Sequence, residues 1–146
     1  MCIRDRPNTH PILHNKVKPC SVNLDRHFVA KTLVENMHHY EGIGLAANQI
    51  GMDVRAFSMI RDIENNEVLV CFNPKIVKKY NEVVRCEEGC LSFPDEIISI
   101  DRPDKIVVKY EDEDKKEHKI KLNGMASRVF QHEFDHLEGI DFTQRQ

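Results

Sequence analysis

Two histidines four residues apart, with a glutamate directly after the first, constrain this chain most: His132-Glu133-Phe134-Asp135-His136. Only a helix sets such imidazoles one turn apart on a common face, so the segment is expected to be helical. Imidazoles so placed can hold one metal ion. Glu133 follows about 100° further around the helix, where a carboxylate reaches water at the ion rather than the ion itself and can act as general base.

For a bare motif the alternative is a pair of exposed or capping histidines on an amphipathic helix. A catalytic site needs three protein ligands and an open fourth position. Only ten residues follow His136, none of them histidine, and Glu138 lies too close along the helix end. The third ligand is therefore expected upstream, with Cys90 in Glu87-Glu88-Gly89-Cys90-Leu91-Ser92-Phe93-Pro94 as the best candidate. A buried cysteine beside glycine is more often packing. Cys86 and Cys90 with His132 and His136 also read as a closed structural zinc module that binds a partner. The long gap between Cys90 and His132 and the lack of a task for Glu133 disfavour that reading. A Cys90–His132 pair acting through a covalent acyl-enzyme is a further alternative.

At 146 residues, 40% hydrophobic and 31% charged, with six Gly and six Pro, the chain reads as one globular domain and not as a collagenous or disordered one. The net charge of -3 predicts no strong basic field for nucleic acid or anionic lipid, so neither nucleic-acid reading nor membrane association is expected. The longest strand-like run, Val68-Leu69-Val70-Cys71-Phe72, is far short of a membrane span. Five cysteines (Cys2, Cys20, Cys71, Cys86, Cys90) form an odd, uneven set that suits reduced thiols. With a charged opening that has no apolar core of a secretion signal, they point to the cytoplasm.

Leu24, Phe28, Val29, Leu33 and Met37 recur at helical spacing, with Asn23 expected as N-cap, Asp25 in the first turn and Gly42 as the stop. Strands are expected over 54–60, 68–72, 82–85, 97–100, 106–110 and 119–122, and the charged run 111–117 is expected to be a solvated hairpin loop. After Asn123-Gly124 a second helix carries Met125, Val129, Phe130 and Leu137 and stops at Gly139. The class is α+β, with antiparallel sheets packed around a C-terminal helix that carries the histidines, and one N-terminal helix. Gly42-Ile43-Gly44-Leu45-Ala46-Ala47-Asn48-Gln49 superficially matches a dinucleotide fingerprint but follows a helix and opens no βαβ unit. Its glycines instead let backbone approach a ligand, and Gln49 adds a neutral donor suited to an oxyanion.

Three segments together resemble the peptide deformylase family. Gly42 to Gln49 looks like its G-x-G-x-A-A-x-Q motif, Glu88-Gly89-Cys90-Leu91-Ser92 like its E-G-C-L-S, and Gln131 to His136 like its Q-H-E-x-D-H, in the family's order. The likeness runs from about His10-Pro11-Ile12-Leu13 to Phe142. It implies hydrolysis of the N-formyl group of formyl-methionyl peptides, with release of formate. Cys90, His132 and His136 would hold one divalent metal, Fe2+ by preference in the family, with Zn2+, Ni2+ or Co2+ also accepted. Glu133 would take a proton from water and return it to the leaving amine, while the Gln49 amide and the Leu91 backbone N–H stabilise the oxyanion. The substrate would lie strand-like along Ile43 and Gly44, near Glu88 and Gly89, with its methionine side chain toward Val129.

The chain departs from the family at three places. Met1 to Arg6 do not look like its opening strand and are set aside, Ile97 stands where some members carry Arg, and the long C-terminal helix that many members use for ribosome contact is not in the sequence. In that respect the chain resembles phage-encoded or minimal members, and ribosome contact is left open.

Overall fold

The computed structural model describes residues 15–90 and 93–140, with the side chains of 90 and 93–96 outside the description. Seven strands and two long helices follow one another: α1 (Arg26–His39), β1 (Gly44–Ala46), β2 (Ala56–Asp62), β3 (Glu67–Lys79), β4 (Val83–Cys90), β5 (Phe93–Pro103), β6 (Lys105–Glu111), β7 (Glu117–Asn123) and α2 (Gly124–Leu137). A short 3-10 turn, Ala47–Ile50, follows β1. Strands β1, β2, β3, β6 and β7 form one antiparallel sheet in that order, and β4 with β5 forms a separate two-stranded ribbon. The class is α+β, as the pattern of periodicities predicts.

Alternation along β2 and β3 explains the layering. Phe57, Met59 and Cys71 point to one face, where with Ile106, Val108 and Leu122 they pack against Val129, Phe130 and Leu137 of α2. Their neighbours Ala56 and Phe72 point to the opposite face and meet Val29, Leu33 and Met37 of α1. A half-buried strand must divide its residues this way, and here both faces find a helix. The edge-to-face pair Phe57–Phe130, with centroids 5.0 Å apart, fixes α2 against the sheet.

The structure corrects several local expectations. Asp25, not Asn23, caps α1, its side chain accepting from the Phe28 N–H, and the helix ends at His39 before Gly42. Phe28 is 62% exposed, because the apolar stripe is one residue wide and runs through Val29. Strand β1 was not anticipated: three residues of Gly, Leu and Ala carry too little periodicity to announce a strand. The ribbon strands β4 and β5 and strand β3 run well beyond the expected segments, into charged residues that pairing alone keeps extended. The 111–117 run does join two strands, yet it is tied to α1 through Arg26–Glu111 at 2.8 Å and His27–Asp114 at 3.0 Å.

Candidate active site

Helix α2 carries His132 and His136 on one face, their ring centroids 5.2 Å apart and both residues buried. The helix end that presents His136 is held from outside. Asn48 donates its side-chain amide to the His136 carbonyl at 2.7 Å, Val17 N–H donates to the Leu137 carbonyl at 2.7 Å, and Arg55 donates to that carbonyl while pairing with Glu138 at 2.9 Å. A cation and two amide donors at a helix C-terminus satisfy carbonyls that have no partner within the helix.

His132 is held by a second network that sequence reasoning did not find. Its Nδ1 lies 2.9 Å from Glu88 Oε1. Burial would raise the Glu88 carboxyl, but the bond from His132 and the fork of Arg102 outweigh it and pull it down to about 2. An ionised carboxylate only accepts, so Nδ1 must carry the proton, and the lone pair of the ring belongs to Nε2. That tautomer suits a metal ligand, and a carboxylate behind the imidazole raises its basicity. Arg102 grips Glu88 through Nε and Nη2 and Asp135 through Nη1 at 2.9 Å, and Arg128 adds a bond to Glu88 and one to the Ile100 carbonyl at 3.1 Å. Two carboxylates thus meet two guanidiniums, and the buried charge cancels. Arg102 and Arg128 give no sequence signal, since a lone arginine in a strand or helix reads as a solvated charge. Glu88 itself, expected among the substrate contacts, has its carboxylate engaged by these partners.

Glu133 is buried, and its Oε1 has no hydrogen-bond partner among the described residues. Burial pushes its carboxyl up to about 7, against the pull of His132 and Arg102 and with the help of the Glu88 charge. Gly44 makes room for it: a Cβ there would lie 2.6 Å from Glu133 Oε2 and 2.9 Å from Val129 Cγ1, closer than real atoms approach. Gln49 accepts from the Ala46 N–H through its carbonyl oxygen at 2.9 Å, which assigns the other end of its amide as the donor end.

A cavity of about 600 Å³ opens beside these groups, lined among others by Ile43, Gly44, Gln49, Gly89, Val129 and Glu133. Glu88 and His132 also line it. It is bounded on one side by β1, which sits at the edge of the five-stranded sheet, and on the other by the β4–β5 ribbon. Cys90 is placed by its backbone at the end of β4, its side chain outside the described residues, and Leu91 lies outside them altogether. Among the described residues no three metal-binding side chains converge, which leaves His132 and His136 as the described pair of the expected set.

The family pattern of polypeptide deformylases matches residues 6–146, nearly the whole chain. This chain belongs to that family. It is 42% identical over 138 residues to the peptide deformylase of Thermotoga maritima, covering 92% of this chain and 81% of the relative. The crystal structure of the peptide deformylase from Thermotoga maritima superposes with a TM-score of 0.89 at 39% identity, covering 97% of this chain and 95% of that one. A probable peptide deformylase from Synechococcus phage S-SSM7 superposes with a TM-score of 0.87 at 35% identity, covering 97% and 98%. Membership in the deformylase family makes the chain a metal-dependent hydrolase, and the donor set fits that chemistry. Two buried imidazoles, one of them fixed in a ligating tautomer, stand beside the buried Glu133 carboxylate, which lines the same cavity.

Proposed function

We propose that this deformylase removes the N-formyl group from formyl-methionyl peptides, with Cys90, His132 and His136 holding one divalent ion and Glu133 as the general base. A divalent ion bound there polarises the formyl carbonyl and makes water more acidic. One thiolate and two imidazoles form a borderline-soft set that accepts Fe2+, the ion we assign as native, as well as Zn2+, Ni2+ or Co2+.

The peptide backbone extends along the free edge of β1. Its other edge is already paired: Gly44 sits opposite Met59, and the Ile43 carbonyl accepts from Ile60 N–H at 2.9 Å. An open strand edge facing a cleft recruits an extended peptide by main-chain hydrogen bonds, and Val129 with Met125 offers apolar surface to the methionine side chain. Glu133 accepts a proton from water as the oxygen attacks the formyl carbon. It then delivers that proton to the peptide nitrogen as the C–N bond breaks, so formate and a free amine leave and the carboxylate is regenerated. A carboxyl poised near 7 can make both transfers, and a cation alongside favours the ionised form that must act first. The Gln49 side-chain amide and the Leu91 N–H donate to the carbonyl oxygen as it gains charge. The short formyl hydrogen is selected by the space at the reacting carbon and not by a polar contact.

The buried, partner-poor Glu133 beside His132 carries this reading, because a structural zinc module has no use for it. Formate release from a soluble formyl-Met peptide tests it. Glu133→Gln should retain the ion and lose turnover by about 10²–10⁴-fold. A chelator should abolish activity in the parent, and re-addition of metal should restore it. Metal-loaded Glu133→Gln with near-parental turnover would remove the general-base role.

A further inference from the structure

The face of the five-stranded sheet that bears α1 is only half covered. Helix α1 packs over β1, β2 and the first part of β3, where Phe72 and Val70 meet Leu33 and Met37. Beyond it the same face continues over the end of β3 and over β6 and β7, where no helix among the described residues packs. Cross-strand partners in an antiparallel ladder share a face, so the registers identify what lies there. Lys75 stands opposite Lys109, which stands opposite Lys119, and in the next rung Lys78 and Lys121 flank Val107. Lys105 pairs with Asn123 one rung further on. The alternate residues Ile106, Val108, Ile120 and Leu122 point to the other face, into the core against α2.

Six lysines thus share one surface of a protein whose net charge is -3. Among the described residues, the ladder places beside them Glu117, 3.7 Å from Lys109, and Glu111, which is engaged by Arg26 and Asn73. Like charges directly opposite one another destabilise a sheet, and three in one rung is an arrangement that folding alone does not favour. Net charge averages over the surface and hides this division. Backbone positions lie about 5 Å apart across the strands and about 7 Å apart along one face, so the six lysines spread over three rungs, an extent suited to a polyanion rather than to a single anion.

We propose that this lysine-bearing half-face binds the phosphate backbone of single-stranded RNA. Tyr80 holds the ammonium groups of Lys78 and Lys121 at 4.5 and 5.1 Å from its ring centre, which puts an aromatic group among the cations. Cations combined with an aromatic platform are the means of sequence-independent single-strand binding. An anionic membrane would use an apolar wedge of several large side chains, whereas this stretch offers the half-buried Val107 and the single exposed Val77. None of the six lysines lines the catalytic cavity, so a docked strand leaves the cleft open. The contacts are to phosphate, so no base sequence is read.

Fluorescence anisotropy with a labelled uridine oligoribonucleotide of about 20 nucleotides measures the interaction directly, in parallel with vesicles of phosphatidylcholine and phosphatidylserine. Engagement of four phosphates gives a slope of log K against log salt of about -2.8. The quadruple variant Lys75→Gln, Lys109→Gln, Lys119→Gln, Lys121→Gln should flatten that slope and weaken binding at least tenfold at low salt, while the four corresponding Lys→Arg changes preserve it. Thermal stability of the Gln variant should be equal or higher, since repulsion is removed, and formate release from a soluble peptide should match the parent. Absence of RNA binding by the parent, equal affinity in the Gln variant, or tighter binding to vesicles than to RNA would each overturn the proposal. Formate release reports on the catalytic reading separately, so either can fail while the other stands.

Discussion

Two helices of fourteen residues pack on opposite faces of the same sheet, and they bury opposite kinds of chemistry. Helix α1 turns Val29, Leu33 and Met37 inward at intervals of four, with Arg26 as the one charged residue it buries. Helix α2 buries ten residues, seven of them polar or charged. The first is a clip, held by a single apolar line over Phe72, Leu45 and Ala47. The second is a platform in which nearly every polar group has an assigned partner from another element. Apolar burial tolerates small displacements, since its strength depends on area and not on angle. A network of fixed donors and acceptors does not, and that intolerance is what holds an imidazole or a carboxylate where a reaction needs it. The contrast teaches that the same secondary structure on the same sheet can supply adhesion or orientation, according to what it turns inward.

Removing one member of the α2 network sharpens this contrast most. Arg102→Met strips Glu88 and Asp135 of their shared cation and should cost about 3–5 kcal/mol, because it leaves the buried Asp135 without its guanidinium and Glu88 with Arg128 alone. Denaturant melts of metal-free protein check it. Glu88→Gln should lower metal affinity by about 10–100-fold by loosening the His132 tautomer, read by competition with a metal-binding dye. Its effect should exceed that of any substitution in α1.

The α1 side should respond in stability alone. Leu33→Ala opens a cavity in a fully buried position and should cost about 2–5 kcal/mol with turnover at saturating substrate unchanged in the folded fraction. A change in kcat of the kind expected for α2 variants would break the division between clip and platform.

Acid separates the two helices as well. The folded Glu88 carboxyl sits near 2, below its ordinary value, so the ionised form is bound more tightly in the native state. Its contribution is present above about pH 4.5 and is lost as pH falls toward 2. Stability curves of the parent should therefore bend downward in that window, and those of Glu88→Gln should bend less, whereas Leu33→Ala should shift the curve without changing its shape. The smallest effect belongs to the α1 cap: Asp25→Ala should cost about 1 kcal/mol, visible as a modest shift in the denaturation midpoint.

How much of this was legible beforehand follows from the same physics. Helix α2 and its histidines could be read because their spacing repeats with the turn of a helix, and the strands β2, β6 and β7 because apolar residues alternate. Strand β1 could not, since three residues hold no period. The Gly44 approach to Glu133 was foreshadowed only as a general use of glycine beside a ligand. Arg102 and Arg128 were invisible: a buried guanidinium is recognised by the carboxylates around it, and those lie 14 and 40 residues away in Glu88. The half-face of lysines was in plain view in Lys105 and Lys109 and in Lys119 and Lys121, each pair on one side of its strand, but the near-neutral sum of charges concealed it.

The bond from Val17 N–H to the Leu137 carbonyl ties together points 120 residues apart, and Arg55 joins both partners by donating to the Val17 and Leu137 carbonyls. The consequence is temporal. During synthesis β1 and the β4–β5 ribbon are made before this latch can close, because Leu137 must first emerge. Loops of this length close late, so the site should be the final part of the molecule to mature. The first described segment and the end of the last described helix thus depend on each other, and the C-terminal end of α2 is expected to be among the last parts of the molecule to be fixed.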